Sequence, residues 1–144
     1  MHAMSASHSE TLPHCLRCKT EELVHHDSPP GASFFECPKC HRSFTRSSDG
    51  ALVFRWRHPI TLLLYFVIFD PHPVERCERV VSAFVEGRSS ETIQIAIQEI
   101  RLELNEPTQQ VRDTVDCCAS EQDLRAYLHC VAELMEASIR QRES

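Results

Sequence analysis

The sequence predicts a mostly α-helical protein that carries a small β module towards its N-terminus. Two observations predict this organisation. Two Cys-x-x-Cys pairs and several turn-forming residues crowd into positions 14–57, and apolar residues recur at spacings of three and four after position 73. We expect a flexible leader over residues 1–13, a β module over residues 14–57 and a domain of four or five helices over residues 58–144.

Short β-hairpins are the elements expected in the N-terminal module. Residues 34–36 (Phe-Phe-Glu) are typical of a short strand, and residues 52–56 of the strand that returns after a hairpin turn. The segment 47–50 (Ser-Ser-Asp-Gly) is a candidate hairpin turn, because Asp-Gly supplies the positive φ angles that a tight turn needs. The segment 27–31 (Asp-Ser-Pro-Pro-Gly) predicts an earlier, turn-rich connection.

The chain beyond position 58 has the pattern of successive helices. The apolar run 60–69 follows Pro59, which suits a first helical turn, and we interpret the run as a buried helix, with a buried strand as the alternative. A second helix is expected to open at Pro73 and to stop at Gly87. Its apolar residues fall at helical spacings: Val74, Cys77, Val80, Val81 and Phe84.

Up to three further helices complete the expected domain. The third has Ser90 as its candidate N-cap and two apolar stripes, one of Ile93, Ile97, Ile100 and Leu104 and one of Ile95 and Leu102. A shorter helix is expected over residues 108–118. The last helix follows the cap-like Ser120 and extends to about Arg140.

Signals of a membrane or secreted protein are missing from the sequence. The longest apolar run has ten residues, 60–69, whereas a helix that crosses a bilayer needs about 20. Residues 1–10 are polar and rich in His and Ser, without the apolar segment of a signal peptide. We expect no membrane span and a cytoplasmic location, where thiols without a metal stay reduced.

Four of the eight cysteines have the spacing of metal ligands. Cys15 and Cys18 form one Cys-x-x-Cys unit, and Cys37 and Cys40 form a second one after eighteen intervening residues. Each pair can chelate from a tight turn, and the loop is long enough to bring the pairs opposite each other. Tetrahedral thiolate coordination satisfies Zn²⁺, so we predict one zinc ion on these four residues.

These residues resemble the zinc ribbon, a family of modules found in transcription factors, polymerase subunits and ribosomal proteins. The resemblance covers residues 12–57 and rests on Cys-Leu-Arg-Cys at 15–18 and Cys-Pro-Lys-Cys at 37–40, with Phe35 before the second pair and Phe44 after it. It implies that the four cysteines are the ligands. Ribbons usually place Gly after the second cysteine of each pair, where this chain has Lys19 and His41. Residues 58–144 resemble no family.

The remaining Cys and His residues suggest no second site. The spacing of Cys77, Cys117, Cys118 and Cys130, with His129, matches no metal pattern, and buried free cysteine behaves as a small apolar residue. A histidine near the pairs can in principle replace a cysteine as ligand, although a solvated loop histidine is the simpler interpretation. Those histidines are His14, His25, His26 and His41.

Charge is distributed unevenly between the two parts of the chain. Residues 1–58 hold seven Lys/Arg and six Asp/Glu, whereas residues 59–144 hold eight and fifteen. The β module is locally basic and interleaves its cations with Phe44, Phe54 and Trp56, as binders of nucleic acid or phosphate do. The candidate contacts to nucleic acid or to an acidic protein surface are Lys39, Arg42, Arg46, Arg55 and Arg57.

Function is therefore expected to lie in binding rather than in catalysis. The acids of the helical part are spread around it, and the sequence has no Gly-rich phosphate loop, Gly-x-Ser-x-Gly or His-Glu-x-x-His motif. We expect a non-enzymatic adaptor or regulatory protein in which zinc is structural and a protein partner or a second copy is bound. This hypothesis predicts an apolar patch on the helices or on residues 60–69 that is covered only in an oligomer or complex. The alternative is a nucleic-acid-associated ribbon protein that uses the basic hairpin 39–57.

Overall fold

A computed structural model of the chain describes residues 12–28, 32–47 and 49–143. The chain divides into two compact units, Met1–Arg55 and Trp56–Ser144, which we name the sheet unit and the helical unit. Most of the expected leader, residues 1–11, lies outside the described residues.

The sheet unit contains a four-stranded antiparallel sheet in which neighbours in sequence are neighbours in space. Its strands are β1 (Val24–Ser28), β2 (Ala32–Glu36), β3 (Ser43–Arg46) and β4 (Leu52–Phe54). Phe35 pairs with Phe44, and Phe44 pairs with Phe54, so three aromatic residues share one face of the sheet. Phe44 and Phe54 are buried, with ring centroids 5.5 Å apart, and form the centre of a small core.

Two of the four strands agree with the sequence pattern in part, and the other two, β1 and β3, were not predicted. The strand at 34–36 is confirmed as β2, whereas the returning strand ends at Phe54 instead of Trp56. Gly50 has φ +90°, as the Asp-Gly turn requires, while Ser48 lies outside the described residues. β1 was missed because Val-His-His-Asp-Ser lacks apolar alternation. It occupies the start of the expected 27–31 connection, whose Pro29, Pro30 and Gly31 are not described.

The helical unit has five α-helices among the described residues, preceded in one case by a short 3₁₀ helix at Pro73–Arg76. The helices are α1 (Pro59–Tyr65), α2 (Cys77–Val85), α3 (Ser90–Asn105), α4 (Val111–Thr114) and α5 (Glu121–Glu143). The long α5 packs against α2 and α3 and contributes more buried side chains to the core than any other described helix. Its fully buried residues are Leu124, Tyr127, Leu128, Val131, Ala132 and Met135.

α1 is shorter than the apolar run that predicts it. The His58 side chain accepts the Ile60 N–H at 3.2 Å and so caps the helix, which ends at Tyr65 rather than at residue 69. Beyond it, the N–H groups of Val67 and Asp70 bond to carbonyls three residues back, in tight turns. The run is therefore only partly buried: Ile60, Leu63, Leu64 and Val67 lie in the core, whereas Tyr65, Phe66 and Phe69 are exposed.

The ends of the other helices follow the sequence closely. Pro73 opens the 3₁₀ turn before α2, and Gly87 follows α2 with φ +78°. The N-cap of α3 is Ser89, one residue earlier than expected, whose Oγ accepts the Thr92 N–H at 3.2 Å. Ser120 caps α5 as predicted, with its Oγ 3.1 Å from the Asp123 nitrogen, and α5 continues past residue 140.

Two helix predictions need correction. The second apolar stripe of α3 does not pack as a stripe, because Ile95 is 56% exposed and Leu102 only partly buried. The helix expected over residues 108–118 is a single turn, α4. It is held in place by Glu121, whose carboxylate accepts the N–H groups of Val111 and Arg112 at 2.8 and 2.9 Å. Across the described ranges, no helix has both the length and the apolar character for crossing a bilayer.

Candidate metal centre

The four cysteines of the two Cys-x-x-Cys pairs converge on one point. All four Sγ atoms lie within 4.8 Å of one another. The Sγ of Cys15 is 3.7 Å from that of Cys40, and the Sγ of Cys18 is 3.9 Å from that of Cys37. A metal–sulfur distance of about 2.3 Å gives a regular tetrahedron with edges of about 3.8 Å, so these separations fit one tetrahedral ion. They are far too long for disulfides, whose S–S distance is about 2.05 Å.

Each pair lies in a tight turn, and the two turns have matching hydrogen bonds. In the first, the Cys18 N–H donates to the Cys15 Sγ at 3.3 Å, and the Lys19 N–H donates to the Cys15 carbonyl at 2.8 Å. In the second, the Cys40 N–H donates to the Cys37 Sγ at 3.4 Å, and the His41 N–H donates to the Cys37 carbonyl at 2.9 Å. The repeated pattern aims each sulfur pair at the centre and places backbone dipoles against negative sulfur.

The residue after each pair has a left-handed backbone. Lys19 has φ +69° and His41 has φ +64°, and among the described residues these are the two positive φ angles outside glycine. The resemblance to zinc ribbons implies Gly at both positions, since Gly adopts such angles without steric cost. The turn geometry is therefore kept although the usual residue is replaced.

The surroundings of the sulfurs favour a bound cation. Cys15 and Cys37 are buried, while Cys18 and Cys40 are partly exposed. Burial, together with hydrogen bonds to neighbouring sulfurs, raises the pKa of Cys18 to about 12. At Cys40 burial also raises the pKa, but donors from the Arg42 backbone and side chain outweigh it and lower the pKa to about 7. Four sulfurs this close cannot all ionise unless a positive ion balances their charge.

We compared the chain with known proteins. No family model, curated protein or solved structure matches it. The cysteine cluster is consistent with a ribbon-like metal site, and the chain is assigned to no family.

The predicted basic residues are divided between the two units. Four lie in the sheet unit, whereas Arg57 belongs to the helical unit, where its guanidinium is 5.1 Å from the centre of the Trp56 ring. Arg46 donates to the Gly50 carbonyl at 3.0 Å, and Lys39 is exposed. Arg42 donates to Cys40 at the candidate metal site. Its position two residues after Cys40 was not enough to predict this contact.

Arg55 belongs to a stack that the sequence did not reveal. Its guanidinium carbon lies 3.6 Å from the centre of the Phe34 ring. The His26 ring stacks on Phe34 with centroids 4.9 Å apart and an interplanar angle of 15°. His26 comes from β1 and Arg55 from the residue after β4, on opposite sides of β2 in the sheet order. The Phe34 ring is therefore occupied from both sides.

The other candidate ligands stay apart from the cluster. Among the described residues, the four cysteines are the only group of three or more Cys, His, Asp or Glu side chains placed to hold an ion. His26 lies 3.3 Å from the Glu36 carboxylate. In the helical unit, Cys77 and Cys117 are buried and Cys118 is exposed, and the Cys77 Sγ lies 3.6 Å from the Tyr127 carbonyl.

Proposed function

We propose that the protein is a non-enzymatic adaptor or regulatory subunit whose sheet unit is held together by one structural Zn²⁺ on Cys15, Cys18, Cys37 and Cys40. The observation that carries the metal assignment is the separation of the sulfur atoms, with two edges of 3.7 and 3.9 Å. Zn²⁺ is the ion that four thiolates at these distances suit best, because it accepts tetrahedral sulfur ligands without redox chemistry.

A structural role follows from the size of the core around the site. Among the described residues of the sheet unit, the buried apolar side chains are Cys15, Leu23, Cys37, Phe44, Val53 and Phe54. Two of these six are themselves ligands, so little apolar surface remains to stabilise the fold. In modules of this size the free energy of metal binding is largely folding free energy.

The donor set also argues against metal catalysis. A catalytic zinc usually has three protein ligands and keeps a fourth position for water. Four cysteines fill a tetrahedral shell, and the turns that hold them leave each sulfur directed at the centre. The remaining function is therefore assigned to surface contacts, and the exposed aromatic side chains of the helical unit are the feature that supports protein binding.

Metal analysis of the purified, reduced protein tests the assignment. We expect one zinc per chain in the wild type and in Cys118→Ser, which removes an exposed thiol of the helical unit. Cys37→Ser should lose the zinc and the strand signal of the sheet unit, while the helical circular dichroism remains. Wild-type protein without stoichiometric metal, or with a sheet unit that chelators leave folded, would refute the proposal.

Nucleic-acid binding through the basic hairpin is the second candidate. Its support is the cluster of Lys39, Arg42, Arg46 and Arg55 in one small unit. It is weaker because Phe34 is stacked on both sides and offers no free face to a base. A salt titration separates the candidates: binding to single-stranded RNA or DNA that falls steeply with salt, and is lost in Arg55→Glu/Arg57→Glu, would favour this function.

A further inference from the structure

The helical unit exposes three large aromatic side chains directly after α1. Tyr65 and Phe66 are each 51% exposed, and Phe69 is 83% exposed. They lie together because α1 ends at Tyr65 and the tight turns that follow bury Val67 but leave Phe66 and Phe69 outside the core. We name these three residues the aromatic patch. Single exposed apolar residues are common on protein surfaces, but a cluster of rings marks a contact site.

A groove of about 380 Å³ lies within the aromatic patch. Phe69, the most exposed ring, also lines this groove. Its ring is large enough to fill part of the same groove on a second molecule. The residues lining the groove are Tyr65, Phe66, Ile68, Phe69, Asp70, Pro71 and Arg76. The patch thus carries a projection and a recess side by side, which is the arrangement that a two-fold contact between identical surfaces requires.

The charges beside the aromatic patch are balanced. The Arg76 Nε lies 2.7 Å from the Asp70 carboxylate, so the edge of the groove carries one charge of each sign. The chain as a whole has a formal charge of −6, which opposes association of two copies through a charged face. A neutral, apolar face with one acid and one base avoids this repulsion, and a two-fold contact can place each Asp70 beside the other copy's Arg76.

We propose that the aromatic patch is the contact between two copies of this chain, with Phe69 of each copy seated in the groove of the other. This deepens the protein-binding part of the proposed function and rests on it. A strongly charged partner would find no complementary charge here, and an anionic membrane would repel a chain with an acidic helical part.

The area available sets the strength of this contact. Three rings exposed to this degree present roughly 400 Å² on each copy, since an aromatic side chain buries about 150–250 Å². Both copies together then bury about 800 Å² of ring surface, which is below the roughly 1,200–2,000 Å² of stable interfaces and indicates a weak contact. We expect a reversible dimer with a dissociation constant of about 1–100 µM.

Sedimentation velocity of the zinc-loaded full chain over a range of concentrations tests the dimer. We expect wild type to pass from monomer to dimer and Phe69→Asp to weaken association about thirty-fold or more, as the loss of a central aromatic anchor does. Ile95→Asp is the matched control, because it places the same charge on an exposed apolar residue of α3. Circular dichroism checks that both variants are folded.

A charge exchange tests the register. Asp70→Arg and Arg76→Asp should each be monomeric alone, and an equimolar mixture of the two should recover the dimer, since each acid again meets a base. Wild type that stays monomeric at every concentration, a loss of association in Ile95→Asp as large as in Phe69→Asp, or a mixture that fails to recover would each overturn the proposal. These outcomes leave the zinc assignment untouched, because none of the substituted residues lies in the sheet unit.

Discussion

The hydroxyl of Tyr127 donates a hydrogen bond to the carbonyl of Leu63 at 2.7 Å, in the middle of the helical core. Leu63 lies in the last turn of α1, where helix carbonyls lack partners within the helix. Tyr127 itself is fully buried on α5, and burial raises its pKa, so the hydroxyl keeps its proton and remains a donor. The bond ties the end of α1 to the central helix.

Removing this hydroxyl should destabilise the helical unit. Tyr127→Phe leaves a buried carbonyl short of a donor, and we expect a loss of about 1–3 kcal/mol in the free energy of unfolding. Urea denaturation followed by circular dichroism measures it. Tyr65→Phe removes a hydroxyl from an exposed side chain and should change the free energy by less than about 0.5 kcal/mol. Equal losses in the two variants would contradict the expectation.

Glu103 is the second buried polar group on which the helical unit depends. It is only 2% exposed, and its carboxylate accepts the Thr108 N–H at 2.7 Å, the Thr108 hydroxyl at 2.9 Å and the Gln109 N–H at 3.3 Å. These bonds hold the segment that follows α3. Glu103→Ala should cost about 2–3 kcal/mol, because hydrogen bonds to a charged acceptor are the stronger ones.

The same denaturation series tests this loss. Glu133→Ala is the control, since the Glu133 side chain is mostly exposed and its contact with His129, at 3.6 Å, is a surface ion pair. We expect the control to lie within about 0.5 kcal/mol of wild type. A Glu103→Ala protein as stable as the control would mean that the carboxylate does not hold this segment.

Features that depend on residues close together in the chain could be predicted from the sequence, whereas the role of Glu103 could not. The two-residue spacing within each cysteine pair was enough to identify Cys15 and Cys18 as candidate ligands. Helix caps also depend on neighbouring residues, so the predicted N-cap of α3 differs from the observed one by one residue. Glu103 was not distinguished from the other acids of the helical part, because its partners come from a loop whose path is set by tertiary packing.

An apolar patch on the helices or on residues 60–69 was predicted, but the three residues that form it were not, for a related reason. A run as apolar as 60–69 has no periodicity to separate its two faces, so the pattern predicted a buried helix throughout. The early end of α1 at Tyr65, after which the chain makes tight turns, exposes Phe66 and Phe69 instead. Strand β1 escaped detection because its pairing with β2, rather than its own composition, makes it a strand.

The left-handed residues after the cysteine pairs provide a third prediction. An L-residue other than Gly pays about 1–2 kcal/mol for a left-handed backbone, and Gly pays about 0.5–1 kcal/mol in chain entropy when it folds. Lys19 is exposed and has φ +69°, so Lys19→Gly should stabilise the first turn by about 0.5–1 kcal/mol. The proposed zinc site couples metal binding to folding of the sheet unit, so on that proposal this gain appears as zinc affinity, about three-fold tighter.

Competition with a zinc chelator measures that change. Lys39→Gly is the matched control, because Lys39 is also an exposed lysine next to a ligand cysteine but lies between Cys37 and Cys40, where φ is not positive. There Gly only adds entropy to the unfolded chain, and zinc affinity should fall slightly. Equal effects from the two substitutions would show that backbone strain at Lys19 is not the cause.

The last prediction concerns alkaline pH and the buried thiol of Cys117. Burial, aided by the charges of Asp116 and Cys118, raises the pKa of Cys117 from 9.0 to about 11. Above pH 9 the unfolded chain releases this proton while the folded chain retains it, so stability falls as pH rises and the loss is complete near pH 11. The slope from this group is at most about 1.4 kcal/mol per pH unit.

Cys117→Ala should remove that part of the slope in urea titrations between pH 8 and pH 11, whereas Cys118→Ala, at the adjacent exposed position, should keep it. A wild-type slope in Cys117→Ala would show that the thiol titrates alike in both states.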